Sequence, residues 1–138
     1  MKYLIILMFC FAFSKQLSAQ KENEVYCYMV SIGIKHPDIA LRQAIYETGH
    51  FKSHIFCTKN NLFGFRHKKY ISYDSWKACV DYYKVWQEKH YKDDSLDYYK
   101  FLIRNNFSGL DRQRYVSQLK HTRIKATLNC DLDEKIKQ

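Results

Sequence analysis

Residues 37–50 read PDIALRQAIYETGH. Pro37 suits the first turn of a helix, where the N–H it lacks would be unpaired anyway. Leu41, Ala44, Ile45 and Thr48 then share one helical face, and Gly49 closes the helix. Upstream, Val25, Tyr28, Met29 and Ile32 recur at i, i+3, i+4 and i+7, a short amphipathic helix that Gly33 ends. Downstream, periodicity fails from His50 to Tyr73. That stretch holds Asn60-Asn61, Gly64 and the basic cluster Arg66 to Lys69, and reads as a loop with a small hairpin near Tyr70 to Tyr73. Asp74 or Ser75 then caps a helix with Trp76, Cys79, Val80, Tyr83 and Trp86 on one stripe. Asp93-Asp94-Ser95 precedes a further stripe of Leu96, Tyr99, Leu102, Ile103 and Asn106. After a break at Asn105 to Gly109, Asp111 opens a last helix carrying Tyr115, Val116 and Leu119. The expectation is one α-rich domain without repeats or linkers.

The bulk numbers agree. A chain of 138 residues has room for one core. Aromatic residues at 17%, with one proline and four glycines, exclude a disordered or low-complexity chain. The N-terminus carries Lys2, an apolar run from Tyr3 to Phe13, and then Leu17-Ser18-Ala19, the order of an export signal cut before Gln20. The run falls short of the roughly 20 apolar residues that span a bilayer, so no stable membrane insertion is expected after cleavage. The expected division is a signal peptide at 1–19, a domain at 20–130 and a polar tail at 131–138. Losing Lys2 and Lys15 lowers the formal charge from +9 to +7.

Cys27, Cys57, Cys79 and Cys130 remain after cleavage, enough for two disulfides in any of three pairings, or for buried free thiols. None has C-x-x-C spacing, so no metal and no cofactor are expected. The positive charge suits a polyanion, either nucleic acid or a bacterial wall. Basic residues are spread along the chain, however, and the aromatic residues follow helical stripes instead of forming a stacking platform, which speaks against nucleic acid. A monomer is expected.

Glu47 is the acid to single out. It ends the second helix, one turn beyond Ala40 and Ala44 on roughly the same side and two residues before Gly49. Small apolar neighbours and the negative end of the helix dipole would both raise its pKa. A carboxylic acid kept protonated near neutral pH can protonate a leaving oxygen, which glycoside cleavage requires.

Taken together, PDIALRQAIYETGHFKS, KNNLFGFR, YISYDSWKACVDYY and DRQRYVSQL resemble, in order and spacing, the glucosaminidase family of mannosyl-glycoprotein endo-β-N-acetylglucosaminidase-like domains, which includes autolysins and flagellar-rod peptidoglycan hydrolases. The matching positions are Gln43, Ala44, Glu47, Thr48 and Gly49; Asn60 to Gly64; Tyr70 and Ser72; Asp81 and Tyr82; and Tyr115 with Val116. The resemblance implies a mainly α, lysozyme-like helical domain with a glycan groove. It implies Glu47 as catalytic acid, and Tyr115 as a second catalytic group holding the N-acetyl group or the reacting water. Asn60, Asn61, Phe63 and Tyr70 would bind substrate or brace the groove. Peptidoglycan strands are the implied partner, in the periplasm or outside the cell.

One departure matters. Longer members carry a β-hairpin lobe, and some place a second acid in it. Here only Phe65, Arg66, His67, Lys68 and Lys69 separate Gly64 from Tyr70, a much reduced lobe with no carboxylate. Inverting cleavage needs a base about 6.5–9.5 Å from the acid, and retaining cleavage a carboxylate about 5–5.5 Å away. A single-acid route stays open, in which the substrate's own 2-acetamido oxygen attacks the anomeric carbon. Lys59 and the Arg66–Lys69 cluster suit the carboxylates of peptide stems, and Tyr70 and Tyr73 could stack on sugars, whereas Trp76 falls in the core stripe. The competing readings are a lytic transglycosylase cutting beside muramic acid and a glycan-binding module that has lost catalysis.

Overall fold

The computed structural model describes residues 18–105 and 111–131, so all of the expected signal peptide except Ser18 and Ala19, and all of the expected tail except Asp131, lie outside the described residues. Six helices are placed among the described residues: α1 over residues 18–31, α2 Pro37–Thr48, α3 His54–Lys59, α4 Trp76–His90, α5 Tyr98–Arg104 and α6 Arg112–His121. This is the expected mainly helical class, in keeping with a lysozyme-like domain. Among the described residues the hairpin lobe shrinks to a single antiparallel bridge between Arg66 and Tyr70, closed by Ile71 N–H donating to the Phe65 carbonyl at 3.0 Å. None of the described helices is long and apolar enough to cross a membrane.

Helix α2 runs through the middle because it is apolar on nearly every side. Ile39, Ala40, Leu41, Ala44 and Ile45 are buried along with Gln43 and Thr48. One side joins Val25, Met29, Leu62, Phe63, Val80 and Tyr83 in a first core. Ile39 joins Tyr91, Phe101, Leu102, Val116 and Leu119 in a second. Pro37 opens the helix, and Gly49, at φ 54°, closes it in the left-handed region, where glycine meets no Cβ penalty.

Two expectations are corrected, and the open question of the cysteines is answered. Helix α3 stands where a loop was expected. It is capped by Ser53, whose Oγ accepts from Phe56 N–H, and it buries no residue completely, so it leaves no periodic signature. The cap of α5 is Asp97, not the Asp93-Asp94-Ser95 cluster. Its buried residues are therefore Tyr98, Phe101 and Leu102, out of register with the expected stripe. The four cysteines make one disulfide, Cys27–Cys130, leaving Cys57 exposed and Cys79 buried as free thiols. Burial pushes the Cys79 thiol up to about 12, which makes it inert packing that accepts from Leu62 N–H.

The disulfide is one of three ties that strap the segment after α6, residues 122–130, onto α1. Asn23 exchanges two hydrogen bonds with the backbone of Asn129. Glu22, 0% exposed, accepts from the backbone N–H groups of Lys125 and Ala126 at 2.6 and 2.9 Å and pairs with His50 Nδ1 at 3.2 Å. A fully buried carboxylate is tolerated because donors surround it. Removing it would take the acceptor from two part-buried N–H groups, at a cost of about 1–3 kcal/mol each. Glu22→Ala is therefore expected to lower the unfolding free energy by about 3 kcal/mol in urea titrations; a loss below about 0.5 kcal/mol would show that water replaces the clamp.

Candidate active site

Three segments converge on the Glu47 carboxyl. Helix α2 brings Glu47 to its last turn. From one side comes the loop after α3, which turns at Gly64 with φ 68°. A Cβ at Gly64 would stand 3.0 Å from Glu47 Oε2, so the absence of a side chain there is what lets the carboxyl lie against the backbone. From the other side comes α6, started by Asp111, whose side chain accepts from Arg114 N–H at 2.9 Å. Its Tyr115 phenol lines the same cleft as Glu47 and receives Gln43 Nε2 at 3.4 Å. Tyr46 packs edge-on against the Tyr115 ring, with centroids 5.5 Å apart, and donates a hydrogen bond to Gln118 Oε1.

These residues surround a cleft of about 360 Å³ lined by Tyr46, Glu47, Asp111, Arg114, Tyr115 and Gln118. Two effects compete over the Glu47 proton. Desolvation raises the pKa, the donated Tyr115 O–H lowers it, and desolvation wins. The Tyr115 phenol is itself held well above its usual range, chiefly by burial and then by the adjacent carboxyl, so it stays a neutral donor. Tyr115 thus stays a neutral phenol beside a carboxyl that holds its proton more tightly than an exposed glutamate does. A larger hollow, about 460 Å³, lies between the start of α1 and residues 50–56 around Phe51 and Phe56; Glu47 is not in its lining.

The structure brings together Glu47 and Tyr115, which lie far apart in sequence. It places the other candidates differently. Asn60 holds the left-handed C-cap of α3 and donates to the Tyr73 carbonyl. Asn61, 2% exposed, donates to the carbonyls of Phe65 and Ile71 and accepts from Phe65 N–H. Phe63, 1% exposed, stacks on Tyr83 with centroids 4.2 Å apart. These three brace the loop that carries Gly64, and the side chains of Asn61 and Phe63 are buried. Tyr70 is 40% exposed at the bridge beside Arg66, and Arg66 to Lys69 are all exposed there. Trp76 packs on the first core, as its stripe position implied.

The sequence reading missed Tyr46, Asp111, Arg114 and Gln118 as cleft residues. Tyr46 gave no signal, because it precedes Glu47 on the exposed side of a buried helix. Arg114 and Gln118 had one: they flank Tyr115 at i−1 and i+3, so a groove at Tyr115 implies them. Among the described residues no cluster of three or more His, Cys, Asp or Glu side chains is placed to hold a metal ion.

The family model described as Mannosyl-glycoprotein endo-beta-N-acetylglucosaminidase matches residues 23–131, almost the whole described domain. No curated protein and no solved structure matches the chain.

Two expectations follow from the geometry. Gly64→Ala forces a Cβ into the left-handed region and against Oε2; it should cost about 1–2 kcal/mol of stability and, by displacing the carboxyl, about tenfold or more in any activity that uses it. Activity at the wild-type level would mean that the close approach is incidental. The second expectation concerns pH. Because the folded pKa of Glu47 is raised, its protonated form contributes stability that is complete below the ordinary glutamate range and is lost as pH rises through the raised value. Glu47→Gln escapes that loss, so its Tm should gain on the wild type as pH rises from 4 to 8; a gap that stays constant with pH contradicts the desolvated carboxyl.

Proposed function

The chain belongs to the glucosaminidase family, and on that premise we propose that it cuts β-1,4 glycosidic bonds of peptidoglycan, beside N-acetylglucosamine, with Glu47 as general acid. Membership makes this a glycoside hydrolase domain with a glycan substrate. The observation that carries the finer reading is the position of the Glu47 carboxyl, dried by its close contact with Gly64 yet opening on the cleft. In the proposed reaction Glu47 gives its proton to the leaving glycosidic oxygen as the C1–O bond breaks. The Tyr115 O–H then stabilises the carboxylate left behind.

The second group is the substrate's own. The reduced lobe supplies no acid, and Asp111, although it lines the cleft, accepts the Arg114 N–H that starts α6. The 2-acetamido oxygen therefore attacks C1. Water then opens the cyclic intermediate, delivering its proton to the Glu47 carboxylate and restoring the acid. Attack by the sugar's own 6-hydroxyl instead of water would give the anhydro product of a transglycosylase. The exposed cations Arg66, Lys68 and Lys69 supply a surface for the carboxylates of peptide stems. The export reading is supported by the Cys27–Cys130 disulfide, a bond that persists in oxidising compartments.

Digestion of purified peptidoglycan, followed by reducing-end mass spectrometry and by NMR of the fresh anomer, tests this. Glu47→Gln should lower the rate by about 10²–10⁴-fold, and the wild-type product should show retained configuration or an anhydro end. Undiminished cleavage by Glu47→Gln removes Glu47 from the role of acid; an inverted anomer removes the single-acid route.

A further inference from the structure

The Tyr115 hydroxyl, which shares the cleft with Glu47, ends a longer line of buried polar groups. It begins at the backbone of Lys35, between α1 and α2. Gln87 on α4 accepts the Lys35 N–H on Oε1 at 2.7 Å and donates from Nε2 to the Lys35 carbonyl at 2.8 Å. These two bonds fix which end of the amide is which. The second Nε2 hydrogen goes to Tyr98 Oη at 2.8 Å. Tyr98, receiving that donor, turns its own hydrogen on Tyr83 Oη at 2.6 Å. Tyr83 in turn donates to Gln43 Oε1 at 2.6 Å. Gln43 is thereby set with Nε2 toward Tyr115 Oη at 3.4 Å, and Tyr115 lines the cleft beside Glu47.

Every donor in this line points the same way. Reversing it would require Gln87 to turn over, setting its Nε2 against the Lys35 N–H and its Oε1 against the Lys35 carbonyl. Each buried group so mismatched costs about 1–3 kcal/mol, so the peptide of Lys35 sets the direction of the whole line. Gln43 and Gln87 are 0% and 1% exposed, in positions where leucine would pack without any need for partners. Burial holds the phenols neutral: Tyr98 is pushed up to about 12, and Tyr83 lies well above its usual range.

We propose that Gln87, Tyr98, Tyr83 and Gln43 are positioning residues, a one-way hydrogen-bond relay anchored on the Lys35 backbone that aims the Tyr115 hydroxyl at Glu47. No proton travels along it. Each link polarises the next, so Tyr115 becomes a stronger and better-aimed donor, and the carboxylate formed when Glu47 gives up its proton is stabilised. The proposal deepens the reading of Glu47 as the acid and rests on it. The titratable groups about Glu47 are Tyr46 on its own helix and Asp111, Arg114 and Tyr115 from α6, while the loop meets it at Gly64.

The test is Tyr83→Phe, which cuts the relay two links away and leaves Glu47 and Tyr115 in place. Carboxyl ¹³C NMR of the free protein should show the Glu47 midpoint moving upward by about half a pH unit, because a weaker donor stabilises the anion less. The alkaline limb of kcat/KM, which falls as the acid deprotonates, should move up with it, and kcat should fall several-fold with KM little changed. Tyr82→Phe, an exposed phenol outside the line, should move neither. If Tyr83→Phe does not fold, Tyr98→Phe carries the test, with the same sign and a smaller shift. A lowered Tm with an unmoved Glu47 midpoint makes these groups merely structural and overturns the relay. The NMR midpoint is read without turnover, so the relay is judged even if Glu47→Gln proves fully active and the catalytic reading fails.

Discussion

A carboxyl group that is to release a proton near neutral pH has to be kept from water without being sealed from its substrate. In this chain the feature that we propose meets that constraint is one close approach, Glu47 Oε2 lying 3.0 Å from where a Cβ on Gly64 would stand. The contact removes solvent from one side of the carboxyl using backbone alone, and it leaves the cleft side open. The loop that delivers Gly64 is held from within by Asn61, whose amide bonds three backbone groups, and by Phe63, stacked on Tyr83.

The fold serves the same end. Helix α2 is held by the second core at Ile39, in its first turn, and by the first core from Ala40 to Ile45, which seats the turn that carries Glu47. Helix α6 packs on both α2 and α5, which sets Tyr115 opposite Glu47. Polar groups that the cores enclose are not tolerated at random. Glu22 pins the segment after α6 to α1, and Gln43 and Gln87 tie α2 and α4 to the phenols between them. The domain thus keeps its buried polar atoms in networks that carry orientation, and leaves the rest of its interior to aliphatic and aromatic packing.

Much of this was legible in the sequence where physical periodicity is strong. The α2 pattern, from Pro37 to Gly49, gave the helix and its buried face, and α4 and α6 followed from their stripes and caps. Helix α3 was not legible, since six residues with none completely buried leave no period to detect. The register of α5 was lost because four neighbouring residues, Asp93, Asp94, Ser95 and Asp97, are all good caps and only packing chooses among them. Glu47 could be singled out from its helix-end position, but its pairing with Tyr115 came from the family pattern, because no local rule joins residues on α2 and α6. The buried glutamines hide for the opposite reason: they sit at stripe positions, where a polar letter reads as an interruption when it is in fact a connection. Gln87, one turn beyond Tyr83 on the α4 stripe, is the position where that signal was present and could have been used.

The central claim concerns one proton, and direct titration of the Glu47 carboxyl in the wild-type protein, assigned by its disappearance in Glu47→Gln, reads it. The account predicts a midpoint above the ordinary glutamate range of about 4.3, with the carboxyl still largely protonated where exposed glutamates are fully ionised. A midpoint at or below that range would mean that water, or the Tyr115 hydrogen bond, outweighs burial, and would contradict the picture of an acid held ready in the cleft.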